Sequence, residues 1–374
     1  MLSQQCPPTT ITLLLTTKLT VTIYLQRVCH ICKSFLFLHF STASKYPYMK
    51  RIVLAIAVTL AAAAVSAQPK ISLRPQQTVL LYADSFEGNI DPVYGKELIY
   101  AGLEMAEDTG LSGAEEIRPG GMIRNISGLA RVDLYFPKRG NGQMVVICPG
   151  GGYKGVSSYG EGLYAAEWLL SKGIAAAVVK YRMPNGHWEV PLADVQNAFR
   201  YCRAHAHEWG MEKIGVMGFS AGGHLAASAS TLYADQITRP DFTVLIYPVI
   251  TYDYNIYRSG SRPSLLGSED KWTDDPEGFA RLVERYSLEK QVTPDTPPAF
   301  LAHSTNDNTL VDNSLLYYKS LLDKKVSVEM HIFPTGGHGW GFSSEKVRGK
   351  GKDRMAYARN ELYTSLERWL ESMR

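Results

Sequence analysis

Hydrophobic and polar positions follow two alternating patterns from about residue 130 to the end of the chain. Short runs that are apolar throughout, such as residues 144–148 and 244–250, predict strands covered on both faces, as in a parallel sheet. The segments between them place apolar residues at helical spacing, and strands that alternate with helices predict βαβ units. No internal repeat or long linker interrupts the pattern. We therefore expect residues 68–374 to form one α/β domain with a mostly parallel central sheet and helices on both faces.

The same pattern assigns the individual elements. The predicted strands are residues 130–136, 144–148, 174–180, 214–219, 242–250, 299–302 and 326–333. The predicted helices are residues 160–170, 191–209, 222–233, 313–322 and 353–373. Residues 251–297 are rich in Tyr, Ser and Pro and predict an insertion between two core strands. This insertion is either a lid or pocket wall, or a set of surface loops with one helix near residues 275–286.

The N-terminal 67 residues differ from the rest of the chain. Met49-Lys50-Arg51 precedes an apolar run over residues 52–65 and a small-residue exit, which predicts a secretory signal peptide at residues 49–67. Signal peptides begin at the initiator Met, so we expect translation to start at Met49. Residues 1–48 are Thr-rich, contain no acidic residue and show no clean helical or strand period, so we interpret them as a mis-assigned upstream extension. The alternative is a genuine extension or membrane anchor.

Composition narrows the class of protein. The chain has 45% hydrophobic and 20% charged residues, which excludes an intrinsically disordered protein. The formal net charge of +3 argues against a nucleic-acid partner. Residues 1–67 hold six basic and no acidic residues, so the remaining residues carry a net charge of −3. No apolar run reaches the roughly 18 residues of a membrane span, so we expect no stable membrane insertion.

The strongest chemical signal is Gly218-Phe219-Ser220-Ala221-Gly222, which fits the G-x-S-x-G pattern between a predicted strand and a predicted helix. The turn requires glycines because a Cβ at either position would collide with neighbouring backbone. The serine itself takes a strained conformation that holds its hydroxyl clear of the sheet. Ser220 is therefore the candidate nucleophile.

A second signal is the glycine run Cys148-Pro149-Gly150-Gly151-Gly152-Tyr153, directly after an apolar strand. Its backbone N–H groups can point at a reacting oxygen without obstruction by side chains. Together with the N–H of Ala221 they would form an oxyanion hole. A phosphate-binding loop is the competing interpretation, but neither G-x-x-x-x-G-K-[ST] nor G-x-G-x-x-G occurs here.

A serine nucleophile needs a base, and the base needs an acid that orients it. His338 follows the last predicted strand in a glycine-flanked turn and is the candidate base. Asp307 and Asp312 are both candidates for the acid. We favour Asp307, which lies in a polar loop after a strand, because Asp312 directly precedes a helix and fits an N-cap or first-turn position. Three other downstream histidines fit packing or capping positions better: His224, His303 and His331.

Taken together, these motifs resemble the α/β-hydrolase superfamily. More narrowly, they resemble secreted bacterial esterases of the acetylxylan esterase and feruloyl esterase type, related to the hormone-sensitive-lipase-like group. The resemblance covers about residues 130–374 and includes family-like runs at residues 181–184, 191–194 and 296–300. Pro149 stands where the lipase-like group has the His of its His-Gly-Gly-Gly pattern.

The resemblance implies a triad in which Ser220 is the nucleophile, Asp307 the orienting acid and His338 the base. The oxyanion N–H groups would come from Gly151, Gly152 and Ala221. It further implies a secreted or periplasmic serine esterase that removes acyl groups, above all acetyl, from carbohydrate esters such as plant polysaccharides, without a cofactor or metal. The alternatives are a general short-chain esterase or lipase, a serine peptidase of the prolyl-oligopeptidase type, and a noncatalytic binding protein on the same fold.

Two aromatic residues are candidates for substrate contact. Trp340 lies two positions from His338 and could line the acyl pocket, and Tyr153 ends the glycine run. Cys148 and Cys202 are the cysteines left beyond the signal peptide. They fit buried free thiols, although export would permit a disulfide.

N-terminal sequencing of the exported protein tests the signal-peptide prediction. We expect the mature chain to begin at Gln68, because Val65 and Ala67 fill the −3 and −1 positions of the cleavage site. A mature chain that starts well upstream of Gln68 would contradict it.

Overall fold

The computed structural model describes most of the chain beyond residue 130 and parts of the chain before it. The described residues are 9–15, 19–27, 34–40, 73–82, 98–103, 109–111, 114–118, 121–128, 130–256, 260–342, 355 and 357–374. The chain divides into two units, Met1–Lys70 and Ile71–Arg374. The predicted signal peptide lies outside the described residues and stays a prediction.

The first unit contains an antiparallel sheet in the order β1-β2-β3. Its strands are β1 Thr9–Leu15, β2 Leu19–Arg27 and β3 Ser34–Phe40. The expectation that residues 1–48 lack a strand period was wrong. Thr20 and Thr22 alternate with apolar residues in β2, and alternation of this kind favours a strand.

The second unit contains the predicted α/β pattern. Its strands are β4 Gln77–Tyr82, β5 Leu98–Leu103, β6 Glu116–Arg118, β7 Met122–Arg124, β8 Arg131–Tyr135, β9 Gln143–Cys148, β10 Val156–Ser157, β11 Ala175–Lys180, β12 Lys213–Phe219, β13 Thr243–Ile246, β14 Ala299–Ser304 and β15 Val328–Phe333. Its α-helices are α1 Tyr164–Ser171, α2 Val190–His205, α3 Ser220–Thr231, α4 Ser261–Leu266, α5 Pro276–Arg285, α6 Asp312–Asp323 and α7 Arg359–Ser372. A π-helical turn, Ser158–Leu163, leads directly into α1. Within the described part of the chain, no helix is both long and apolar enough to cross a membrane.

The central sheet has nine strands in the order β15-β14-β13-β12-β9-β11-β8-β4-β5. Every neighbouring pair from β15 to β11 is parallel, whereas β8 is antiparallel to both of its neighbours and β4 pairs with β5 in parallel. The prediction of a mostly parallel sheet is confirmed. A smaller antiparallel sheet, β10-β7-β6, lies beside the loop that follows β9.

Helices cover both faces of the central sheet, as predicted. All residues of β9 are buried, and its side chains alternate between two apolar clusters. Val146 belongs to the cluster that includes Phe199 of α2, and Ile147 belongs to the cluster that includes Leu169 of α1 and Leu366 of α7. The continuous apolar run of β9 therefore reflects burial on two sides.

The insertion over residues 251–297 contains the predicted helix. Helix α5 begins after Asp275, whose side chain accepts a hydrogen bond from the N–H of Gly278 and caps the helix. The preceding strand ends earlier than predicted, at Ile246. Tyr247 turns the chain there because it takes a left-handed φ of 39°.

Two of the family-like runs meet in a buried ion pair. Arg182 follows β11 and Asp194 lies in α2, and both side chains are at most 1% exposed. Asp194 accepts a hydrogen bond from Arg182 Nη2 at 2.7 Å and another from the hydroxyl of Tyr82 at the end of β4. The pair therefore connects the end of β11, helix α2 and the end of β4.

Replacement of Asp194 by Ala should destabilise the fold strongly. Arg182 would stay buried and lose the hydrogen bonds that its guanidinium donates to Asp194, and breaking a buried pair in this way costs about 3–5 kcal/mol. Urea unfolding measures this loss of free energy. The matched control is Asp323→Ala, since the Asp323 pair with Lys319 is exposed on both sides and should contribute little. Equal losses in the two variants would contradict the prediction.

Candidate active site

Ser220 stands at the turn between β12 and α3, at the carboxyl end of the central strands. Its φ of 53° lies in the left-handed region, which strains a residue that carries a Cβ. The glycines on either side permit the turn. A Cβ on Gly218 would lie 2.2 Å from the carbonyl oxygen of Gly222, and one on Gly222 would lie 2.1 Å from that of Cys148. The glycine pattern thus reflects backbone contact at both positions.

The structure brings Ser220, His338 and Asp307 together in one hydrogen-bonded row. Ser220 Oγ lies 2.7 Å from His338 Nε2, and His338 Nδ1 lies 2.8 Å from Asp307 Oδ2. An ionised carboxylate only accepts hydrogen bonds, so Nδ1 donates to Asp307 and Nε2 is free to accept the serine hydroxyl. The three residues follow β12, β14 and β15, and His338 keeps 30% of its side chain exposed.

Asp307 is held as a carboxylate by its neighbours. Burial alone would raise its pKa, but hydrogen bonds from His303 and His338, together with the N–H of Thr309, bring the pKa of Asp307 to about 2. Asp312 is the first residue of α6, as its position before the helical pattern indicated. The geometry therefore places Asp307, and not Asp312, against the imidazole.

The glycine run after β9 forms part of the wall of the site. Gly151 and Gly152 have φ of 140° and 66°, and a Cβ on Gly151 would lie 2.0 Å from the carbonyl oxygen of Gly155. Gly151, Gly152 and Ala221 all line the cavity into which Ser220 opens. The hydroxyl of Tyr181 donates to the carbonyl of Pro149 at 2.7 Å and so fixes the start of the run.

The cavity beside Ser220 has a volume of about 510 Å³, and both polar and apolar groups line it. The residues that border it are Met122, Gly151, Gly152, Lys154, Ser157, Glu161, Ser220, Ala221, Val249, Gly260, Ser261, Asn308, Thr309, His338 and Gly339. Gly260 and Ser261 show that the insertion contributes part of the wall. The sequence did not lead us to Glu161, which is buried at this site. The signal was its carboxylate between two glycines, shortly after the glycine run, which is unusual in an apolar segment.

Neither Tyr153 nor Trp340 borders this cavity, so substrate contact by these two residues stays a prediction. Trp340 is buried, and its indole N–H donates to Ser304 Oγ at 3.2 Å. Tyr153 is also buried, and its hydroxyl is 2.9 Å from His224 Nδ1. Their polar atoms are used inside the protein, so both residues support the loops that surround the site.

His224 has a structural environment, as expected from its place on α3. It is fully buried, and its Nε2 lies 2.9 Å from the carbonyl oxygen of Tyr286. Burial disfavours the imidazolium and lowers the pKa of His224 to about 4. His224 is therefore neutral near pH 7 and joins the loop of Tyr153 to the insertion.

The two cysteines that sequence analysis interpreted as buried free thiols lie within the described residues. Cys148 and Cys202 are both buried free thiols, as their apolar surroundings predicted. Burial raises the pKa of Cys202 to about 12, and raises that of Cys148 as well. Among the described residues, no group of three or more His, Cys, Asp or Glu side chains is arranged to hold a metal ion.

Comparison with known proteins places this site in a family. The BD-FAE family model matches residues 132–321, just over half of the chain. The chain belongs to the BD-FAE family. The matched region includes β9, the glycine run, the Ser220 turn and Asp307, and ends before His338. The resemblance to acetylxylan and feruloyl esterases is confirmed at the level of this family.

Individual relatives agree with the BD-FAE assignment. An acetylxylan esterase from Xylanibacter ruminicola is 37% identical over 58% of this chain, and endo-1,4-beta-xylanase B from Butyrivibrio fibrisolvens is 34% identical over 52%. The aligned regions span only 45% and 32% of these two proteins. The crystal structure of an acetyl ester-xyloside bifunctional hydrolase from Caldicellulosiruptor lactoaceticus is 32% identical with a TM-score of 0.54, and covers 66% of this chain and 88% of that chain. The predicted α/β-hydrolase fold is confirmed.

Covalent labelling of Ser220 by a fluorophosphonate can separate the two candidate acids. Asp307→Asn should slow labelling by on the order of 10³–10⁴-fold, because the amide no longer holds His338 in the tautomer that accepts the serine proton. Asp312→Asn, the matched control, should label at the wild-type rate. A near-normal rate in the Asp307 variant would refute the assignment.

Proposed function

We propose that this protein is a serine esterase that hydrolyses acyl esters through Ser220, His338 and Asp307. The observation that supports it most directly is the hydrogen-bonded row from Ser220 Oγ to His338 at 2.7 Å and from His338 to Asp307 at 2.8 Å. This row opens into a cavity bordered by the N–H-bearing glycines of the run after β9. A nucleophile, a base, an orienting acid and oxyanion donors are the parts that acyl transfer requires.

Acylation follows from the geometry. His338 Nε2 takes the proton of the Ser220 hydroxyl as Oγ attacks the ester carbonyl carbon, and Asp307 stabilises the imidazolium that forms. The carbonyl oxygen becomes an oxyanion that accepts hydrogen bonds from the N–H groups of Gly151, Gly152 and Ala221. The bond between the acyl carbon and the alcohol oxygen then breaks, and His338 returns its proton to the departing alcohol.

Deacylation repeats these steps with water as the nucleophile. His338 takes a proton from water as the water oxygen attacks the acyl carbon, and the same N–H groups hold the second oxyanion. Collapse of this intermediate releases the carboxylic acid and restores the Ser220 hydroxyl with the proton from His338. Every proton in the cycle passes through Nε2, which is 2.7 Å from Oγ.

We further propose acylated carbohydrate, and acetyl esters in particular, as the substrate class. Hydroxyl, amide, ammonium and carboxylate groups border the cavity, which suits a hydroxyl-rich sugar. The described lining residues include no Phe, Tyr or Trp. The names of the three relatives also support this class, since all refer to xylan or xylosides and two refer to acetyl esters.

The place of action and the chain organisation are part of the same proposal. A signal peptide at residues 49–67 would direct export to the periplasm or beyond, where polysaccharide substrates are accessible. The catalytic unit would then be the single α/β domain over residues 68–374. The charge pattern supports this division, because the excess of basic residues is confined to residues 1–67.

Replacement of Ser220 by Ala should abolish hydrolysis of p-nitrophenyl acetate, because the acyl-enzyme cannot form. Residual turnover near the wild-type level would refute the mechanism.

A substrate panel then tests specificity, and we expect acetate release from acetylated xylan to exceed both feruloyl release and cleavage of a proline-containing peptide. Faster cleavage of the peptide would favour a prolyl-oligopeptidase-type enzyme, and equal rates on simple aryl esters and on xylan would favour a general short-chain esterase.

A further inference from the structure

Glu161 is a buried carboxylate at the edge of the candidate active site. It lies in the π-helical turn Ser158–Leu163, only 7% of the residue is exposed, and it borders the cavity beside Ser220. Turns of this kind are rare and often mark functional sites. The acyl-transfer steps described above do not use this carboxylate, so its position requires a separate explanation.

The carboxylate connects the two loops that supply the oxyanion donors and the base. Glu161 Oε2 accepts a hydrogen bond from the N–H of Gly150 at 2.7 Å, at the start of the glycine run. Glu161 Oε1 accepts a hydrogen bond from the hydroxyl of Tyr247 at 2.9 Å. The same hydroxyl oxygen accepts the N–H of Gly341 at 2.8 Å, in the turn that holds His338.

The direction of each hydrogen bond in this chain is fixed. The N–H groups of Gly150 and Gly341 can only donate, so the hydroxyl oxygen of Tyr247 accepts from Gly341 and its hydrogen points to Glu161. Glu161 therefore receives two donors, one on each oxygen. A carboxylate satisfies this pattern, whereas an amide would present an N–H to one of the two donors.

The backbone packs closely around this arrangement at Gly150 and at Gly341. A Cβ on Gly150 would lie 2.8 Å from Glu161 Oε2, and a Cβ on Gly341 would lie 2.8 Å from the carbonyl oxygen of Gly160. Backbone bonds reinforce the junction. The N–H of Ser157 donates to the carbonyl of Gly150 at 2.8 Å, and the N–H of Phe342 donates to that of Gly160 at 3.1 Å.

The imidazole of His338 is close enough to Glu161 to act on the pKa of this carboxyl. Burial raises the pKa of Glu161, while the hydrogen bonds from Tyr247 and Gly150 and the nearby imidazole of His338 act in the opposite direction. The ring of Tyr247 packs edge-on against the imidazole, with 5.1 Å between the ring centroids. Tyr247, which links Glu161 to Gly341, therefore also contacts His338 itself.

We propose that Glu161 is a positioning residue that holds the oxyanion run and the His338 turn in register with each other. The inference rests on the proposed function, since it assigns a role within the same site. It explains why a charged group is buried between two loops whose relative position determines whether Ser220, the base and the oxyanion donors meet at one substrate atom.

Fluorophosphonate labelling of Ser220 tests this role without requiring knowledge of the natural substrate. Glu161→Gln should lower the maximal labelling rate by about tenfold or more, a smaller effect than the roughly 10²–10³-fold loss that follows removal of an oxyanion donor. The concentration of reagent that gives half the maximal rate should change little, because misaligned donors act in the transition state more than in binding. A variant that is merely less stable, but correctly aligned when folded, would label at the wild-type maximal rate.

Tyr247→Phe provides the second variant and remains informative if Glu161→Gln fails to fold. It keeps the carboxylate and its bond to Gly150 but removes the link to Gly341, so it should also slow labelling. The double variant should lose less than the product of the two single losses, because both act on one chain of hydrogen bonds. Wild-type maximal rates in both single variants, or in Tyr247→Phe alone if the other does not fold, would overturn the proposal.

Glu167→Gln is the matched control, since Glu167 lies on α1 directly after the π-helical turn and does not border the cavity. It should label at the wild-type rate with an unchanged Tm, and a loss as large as that of Glu161→Gln would overturn the proposal.

Acetyl ester hydrolysis by the wild-type protein is measured in parallel. Labelling without hydrolysis would refute the proposed function, and the labelling rates of the variants would still decide the role of Glu161. A wild-type protein whose Ser220 is not labelled would overturn both proposals.

Discussion

Backbone contact between Gly222 and the carbonyl oxygen of Cys148 determines how closely helix α3 approaches the glycine run. The 2.1 Å that would separate a Cβ at position 222 from that oxygen shows that no side chain fits between them. This approach brings Ser220 and the N–H groups of the run to the same cavity. The rest of the site depends on it, because His338 and Asp307 reach Ser220 from the ends of β15 and β14, in the same sheet, whose strand spacing is fixed.

The site is assembled from strand ends that are far apart in sequence and adjacent in space. Strands β9 and β12 are neighbours, and β13 separates β12 from β14 and β15. Ligand sites in open α/β sheets commonly form at the carboxyl ends of the strands, because the loops there converge. The buried Arg182–Asp194 pair connects this edge to helix α2. The hydrogen bond from Tyr181 to Pro149 connects the residues that follow β11 and β9.

The parts of the site that depend on local backbone conformation were predictable from sequence, and the parts that depend on distant packing were not. A left-handed serine between two glycines is a local requirement, so its motif indicates the turn at Ser220. Asp307 could be preferred because it follows a strand, whereas a helix begins at Asp312. The indole N–H of Trp340 is paired with Ser304 at the end of β14, and the proposed role of Glu161 depends on Tyr247 far along the chain. Neither partnership leaves a periodic signal in the sequence.

The insertion between β13 and β14 supplies little of the chemical machinery. Among the described residues of the cavity wall, it contributes Gly260 and Ser261, while the proposed nucleophile, base, acid and oxyanion donors all follow other strands. Substitutions, insertions and deletions in this segment can therefore accumulate without displacing a reacting group. Under the proposed function, substrate preference and bond-breaking ability are genetically separable in such a chain, and proteins that share the same chemistry are free to diverge in the esters they bind.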